Sequence, residues 1–178
     1  RDGVAIAIED HYKPRFAGDA LPRNHTGTVV ALADKLETLV GLFGIGQLPS
    51  GDKDPFALRR HALGVIRMLG ERLPKLTLDR MLDIAISEPS WPGAFRRLVR
   101  NSEGNEAPLR DALLAFFRDR LAVTLREQDY SAAEVEAVLA GNRFWEIGAV
   151  APRLAAVRQF AALSEAESLA GANKRIAN

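Results

Sequence analysis

Apolar residues recur at helical spacing along most of this chain, and prolines and glycines interrupt the pattern at a few joints. Val4, Ile6, Ala7 and Ile8 predict the tail of a buried helix over residues 4–12. Lys13-Pro14 closes it, because the residue before a proline is pushed out of helical geometry. A loop from Phe16 to His25 follows, carrying Gly18, Pro22 and Asn24. Thr26-Gly27 starts the next helix, with Val30, Leu32, Ala33, Leu36, Leu39, Val40 and Phe43 at helical spacing; Gly44 and Gly46 stop it. Asp54 and Pro55 then open a helix running to about Arg72. A carboxylate at the cap accepts a bond from an orphaned N–H, and a proline at the first helical position forfeits none.

Beyond Pro74, Thr77 caps a short helix through Ile86, and Pro89 and Pro92 end the pattern. Residues 91–107 are the least regular portion, with an exposed connection at Ser102 to Glu106. Pro108 opens a long helix to about Glu127, its inner side formed by Leu109, Leu113, Phe116, Phe117, Leu121 and Leu125. Two Ser-x-x-Glu capping boxes follow, Ser131 with Glu134 and Ser164 with Glu167. An amphipathic helix from Pro152 to Leu163 lies between them. No alternating strand pattern stands out, so the expected fold class is all-α.

Composition adds little and excludes some chemistry. The chain has 178 residues, 47% hydrophobic and 26% charged, which suffices for one large or two small domains with a real core. With no cysteine there is no disulfide and no thiolate metal site, which fits a reducing, cytoplasmic setting. A net charge of +1 gives no global argument for nucleic acid, so any such surface is a local patch. No apolar run reaches the roughly 20 residues of a membrane span. The sequence starts at Arg1 without methionine and stops at Asn178 within an amphipathic run, so both ends read as cuts.

The familiar catalytic motifs are missing. Gly44-Ile45-Gly46 follows a helix rather than a strand and lacks a third glycine, so it reads as helix termination. Gly51-Asp52-Lys53 lacks the glycine spacing of a phosphate loop, and no Gly-x-Ser-x-Gly elbow occurs. His25 and His61 have no partners at metal-ligand spacing, and His61 reads as a surface or packing residue.

Longer motifs carry more information. ALADKLETL at 31–39, followed by GIGQLPSGDKDPFALRR at 44–60, closely resembles the β subunit of the tetrameric bacterial glycine–tRNA ligase. AIEDHYKPRFAGDALP at 7–22 and LAGANKRIAN at 169–178 match the same family in the same order, while about 74–142 matches only in pattern. The resemblance implies a degenerate HD-like helical domain over 1–73, a helical linking domain over 74–148, and the start of a helical anticodon-binding domain over 149–178. Asp34 resembles the helical aspartate ligand of HD-type phosphohydrolases. The adjacent His-Asp pair of those enzymes is reversed here to Asp10-His11, and helical neighbours point about 100° apart. His11 and Asp34 are therefore degenerate metal candidates, and no metal is expected.

In that family the α subunit holds the active site, using ATP and magnesium, and the β subunit contributes tRNA recognition within an α2β2 tetramer. The resemblance thus implies a non-catalytic part of a ligase, with no cofactor of its own and with tRNA(Gly) and the α subunit as partners. The candidate phosphate contacts are Lys53, Arg59, Arg60 and Arg67, with Lys174 and Arg175 near the end. Arginine's planar fork suits phosphate, which positions nucleic acid without reading its bases. Arg96, Arg97 and Arg100 form another cluster, and Phe160 is the single aromatic residue near the terminal part. Two alternatives are weighed: a metal-dependent phosphohydrolase using His11 and Asp34, and an architectural module whose arginines lock the fold.

Overall fold

The computed structural model describes residues 2–93, 95–100, 106–140, 145–166, 168–169 and 171–172. Its elements run α1 (Asp2–Asp10), α2 (His25–Gly44), α3 (Leu58–Glu71), α4 (Leu78–Ser87), β1 (Leu98–Arg100), β2 (Glu106–Pro108), α5 (Leu109–Glu127), α6 (Ala132–Leu139), a 3-10 turn (Ile147–Ala149) and α7 (Val150–Ala161). The fold is all-α, with helices pairing around one cluster of buried residues that extends from Leu21 to Leu154. At its centre Leu39, Val40 and Phe43 of α2 meet Val65, Met68 and Leu69 of α3, while α5 contributes Leu113 and Phe117.

Most helices fall where periodicity places them. The inner face of α5 is nearly the expected one: Leu109, Leu113, Phe117, Leu121 and Leu125 are buried, Leu114 joins them, and Phe116 is only half-buried against the core. The first capping box is complete, with Ser131 Oγ accepting from the Glu134 N–H at 3.3 Å and Glu134 accepting from the Ser131 N–H at 2.7 Å. The second involves Glu167, which lies outside the described residues, as does most of the connection around Ser102.

Five expectations need correction. Thr77 holds the N-cap position of α4, but its side chain makes no capping bond. The first helix is not a buried one: Val4 and Ile8 are 64% and 65% exposed, and its buried residues are Ala7 and Asp10. The cap of α2 is Asn24, whose side chain accepts from the Gly27 N–H at 2.7 Å, two residues ahead of the expected start. Helix α3 begins at Leu58 rather than beside Asp54, because Ala57 adopts a left-handed conformation at φ 54°. Asp54 still caps it across that turn, accepting from the Leu58 and Arg59 N–H groups at 2.8 and 2.9 Å, whereas Pro55 stays outside the helix. Finally, β1 and β2 form a small antiparallel pair within the irregular stretch, with Val99 opposite Ala107 and buried.

One packing detail sets the spacing of α2 and the segment after α4. Trp91 and Phe95 stack at 4.8 Å, and the Trp91 indole N–H donates to the Ala85 carbonyl at 2.8 Å. The pair lies over Gly41 and Gly44, where an added Cβ would stand 2.9 Å from Trp91 and 2.2 Å from Phe95. Gly44 thus serves a close approach besides ending a helix.

A basic cleft as the candidate functional site

The loop between α1 and α2 is held by two carboxylates. Asp10, fully buried at the end of α1, accepts from the Arg23 backbone N–H at 2.7 Å, from its guanidinium, and from Lys13 Nζ at 2.9 Å. Arg23's hydrogen bonds hold the Asp10 carboxyl well below the usual range, although burial acts the other way. Asp19 accepts from the Arg15 N–H and guanidinium at 2.8 and 2.9 Å, and Arg15 lowers its pKa likewise. Arg67 of α3 then donates to the Asp19 carbonyl at 2.7 Å, which fastens this loop onto α3.

Beneath the loop runs Lys35. It occupies the core face of α2 and donates to the Tyr12 carbonyl at 3.2 Å. Its stem crosses Gly64, where a Cβ would stand 2.9 Å from Lys35 Cε and 3.0 Å from Cδ. The missing side chain at 64 is what lets the lysine through. Burial lowers the Lys35 pKa, opposed by the neighbouring Asp34 carboxylate. His61 is pushed down by burial first and by the Lys35 charge second, so its imidazole stays neutral at neutral pH.

These residues enclose a cavity of about 430 Å³, with Glu9, Lys13, Asp34, Lys35, Arg60 and His61 in its wall. A second cleft of about 360 Å³ adjoins it, sharing Pro14 and Arg60 and reaching Arg67 and the end of α5. Arg60 therefore stands between two basic hollows.

The sequence candidates separate accordingly. Arg59 donates to the Gly51 carbonyl and Arg67 to Asp19 and to Glu71, so both brace loops. Arg60 and Lys53 are exposed, and neither makes an ion pair among the described residues. Lys174 and Arg175 lie outside the described residues. Arg96 and Arg97 take part in the backbone bonding around β1, and Arg97 also donates to the Ile86 carbonyl at 2.9 Å. Asp34 lines the cavity, whereas His11 bonds to the Ile8 carbonyl and lies beside Tyr12. Among the described residues no group of three or more histidines or carboxylates is placed to hold a metal ion.

Sequence reasoning missed Lys35 and the Asp10–Arg23 and Asp19–Arg15 clamps. A signal existed for the first: position 35 falls on the same helix face as Leu32, Leu36 and Leu39, so a lysine there is buried.

Taken together, the structure is an all-α protein whose basic loop-and-helix cleft offers cations of the kind that hold phosphate. A family model described as glycyl-tRNA synthetase beta subunit matches residues 1–140, and the chain belongs to that family. It is 66% identical to the glycine–tRNA ligase beta subunit of Leptothrix cholodnii over 178 residues, all of this chain and 23% of that protein. It is 61% identical to the beta subunit of Janthinobacterium sp. (strain Marseille) and 57% to that of Dechloromonas aromatica, each over 98% of this chain and 23% of the relative. The chain thus spans less than a quarter of the length of these relatives. No described helix is long and apolar enough to cross a membrane.

Proposed function

We propose that this chain is a part of a glycine–tRNA ligase β subunit that grips tRNA(Gly) by its backbone and helps present it for glycylation. On this reading the α subunit, in an α2β2 tetramer in the cytoplasm, makes glycyl-adenylate with ATP and magnesium. Residues 1–73 are then the degenerate HD-like domain, 74–148 the linking domain, and 149–178 the start of the anticodon-binding domain. The supporting observation is that Arg60, in the wall of a basic cleft, and Lys53, in the loop before α3, are both exposed and free of ion pairs among the described residues.

The test is aminoacylation by the intact enzyme carrying Lys53→Glu and Arg60→Glu. The KM for tRNA(Gly) is expected to rise about tenfold and its salt dependence to flatten, because phosphate contacts release counterions. ATP–pyrophosphate exchange, which needs no tRNA, stays at the wild-type rate. An unchanged KM at several salt concentrations refutes the grip. The architectural reading is favoured for two other arginines, since Arg59 and Arg67 are tied to backbone carbonyls. Arg67→Ala is accordingly expected to lower the unfolding midpoint while leaving that KM near wild type; a wild-type midpoint with a raised KM reverses this assignment.

A further inference from the structure

Lys35 is 3% exposed, and its ammonium makes a single hydrogen bond, to the Tyr12 carbonyl at 3.2 Å. An ammonium has three donors, so two are left unmet within the protein. Asp34 acts on it only through space. The other charges around the cavity are engaged: Lys13 with Asp10, Arg15 with Asp19, and Glu9 with Arg23. What remains at the wall is the buried Lys35, the exposed Arg60 and one carboxylate, Asp34. His61 lines the same cavity as both cations, and its Nδ1 is buried without a hydrogen-bond partner. A buried cation with no direct ion pair, and only the Asp34 charge nearby, destabilises a fold, and an entering anion relieves that cost.

We infer that this cavity is a binding site for a phosphate group, held by Lys35 and Arg60. A phosphate offers several oxygens to the unused ammonium donors and to the guanidinium fork. A space of about 430 Å³ lies within the range of ligand pockets and admits a nucleoside attached to the phosphate. Asp34 beside the cations turns away a second anionic group, which favours a single phosphate over a polyphosphate chain. The site involves binding alone and no bond cleavage.

The experiment is calorimetric titration of inorganic phosphate, and then of AMP, into the intact β subunit at constant ionic strength. Wild type binds both saturably. Lys35→Met and Arg60→Gln each weaken binding about tenfold or more, as expected for loss of a charged hydrogen-bonding group. Arg80→Gln, an exposed substitution on α4 away from the cavity, changes nothing. Lys35→Met keeps the length of the side chain, and Arg60 lies at the surface, so at least the second variant reports on a folded protein. No saturable binding by wild type, or equal affinity in both variants and wild type, overturns the site. Adding tRNA(Gly) to phosphate-loaded protein then identifies the source: displacement assigns the cavity to an RNA backbone phosphate, and retention to a free nucleotide. Both outcomes uphold the site. Because phosphate binding is read without RNA, it stands or falls separately from the tRNA grip.

Discussion

Gly148→Ala is expected to destabilise this chain by about 3 kcal/mol, the upper part of the usual range for overpacking. A Cβ at 148 would stand 2.5 Å from the Pro74 carbonyl oxygen, 2.6 Å from Pro74 Cβ and 2.7 Å from its Cα. Backbone and ring atoms cannot rotate aside, so the segments must separate. That separation disturbs more than one contact. Ile147 is buried in the core beside α3, and Leu78 at the start of α4 donates its N–H to the Trp145 carbonyl at 3.0 Å. Urea unfolding followed by far-UV circular dichroism measures the loss. Gly3→Ala makes the contrasting variant, since its Cβ meets nothing within 4 Å and alanine favours the helix. A Gly148→Ala midpoint equal to that of Gly3→Ala rules out the steric account.

The second large effect belongs to Asp10. Asp10→Asn keeps the shape of the side chain, removes its charge and turns one acceptor into a donor facing Arg23 and Lys13. A hydrogen bond to a charged group contributes about 1.5–3 kcal/mol, and the expected loss at neutral pH is about 2 kcal/mol. The partners limit it: Arg23 is 48% exposed and recovers solvent, so the full penalty of an orphaned buried ion does not arise. The pH dependence has a definite sign. Folding lowers the pKa of Asp10 from its ordinary value of 3.8, chiefly through Arg23's hydrogen bonds. Its stabilisation is therefore complete above that value and fades as pH falls below it toward the folded-state value. Wild type and Asp10→Asn should differ at neutral pH and converge in acid. A gap that stays constant into acid would show that the carboxylate's charge is not what matters.

Local signals were legible where the physics is local. Helix α5 and the Ser131–Glu134 box follow from spacing within a few residues, so the chain announces them. The start of α3 was displaced because Ala57 takes a left-handed conformation that nothing in an alanine signals, while Asp54 reaches across it. Strands of three residues, β1 and β2, are too short to display a period of two. Helix α1 shows a different limit: the same apolar spacing results whether a neighbour covers Val4 and Ile8 or not. At the site, the arginines were readable as cations, but the roles of Arg59 and Arg67 depend on the carbonyls of Gly51 and Asp19, which every residue possesses. Side-chain chemistry narrowed the candidates, and only the tertiary arrangement separated Arg60 from its neighbours.

The Trp91–Phe95 stack over Gly41 and Gly44 has a practical side. The chain has two tryptophans, and the indole of Trp91 is both stacked and hydrogen-bonded. Its emission should respond when α2 parts from the segment after α4, because parting removes Gly41 and Gly44 from beside the two rings and lets water reach the indole. With Trp145 changed to phenylalanine, that emission would become an optical gauge of one interface, reporting loosening there before the helices themselves melt.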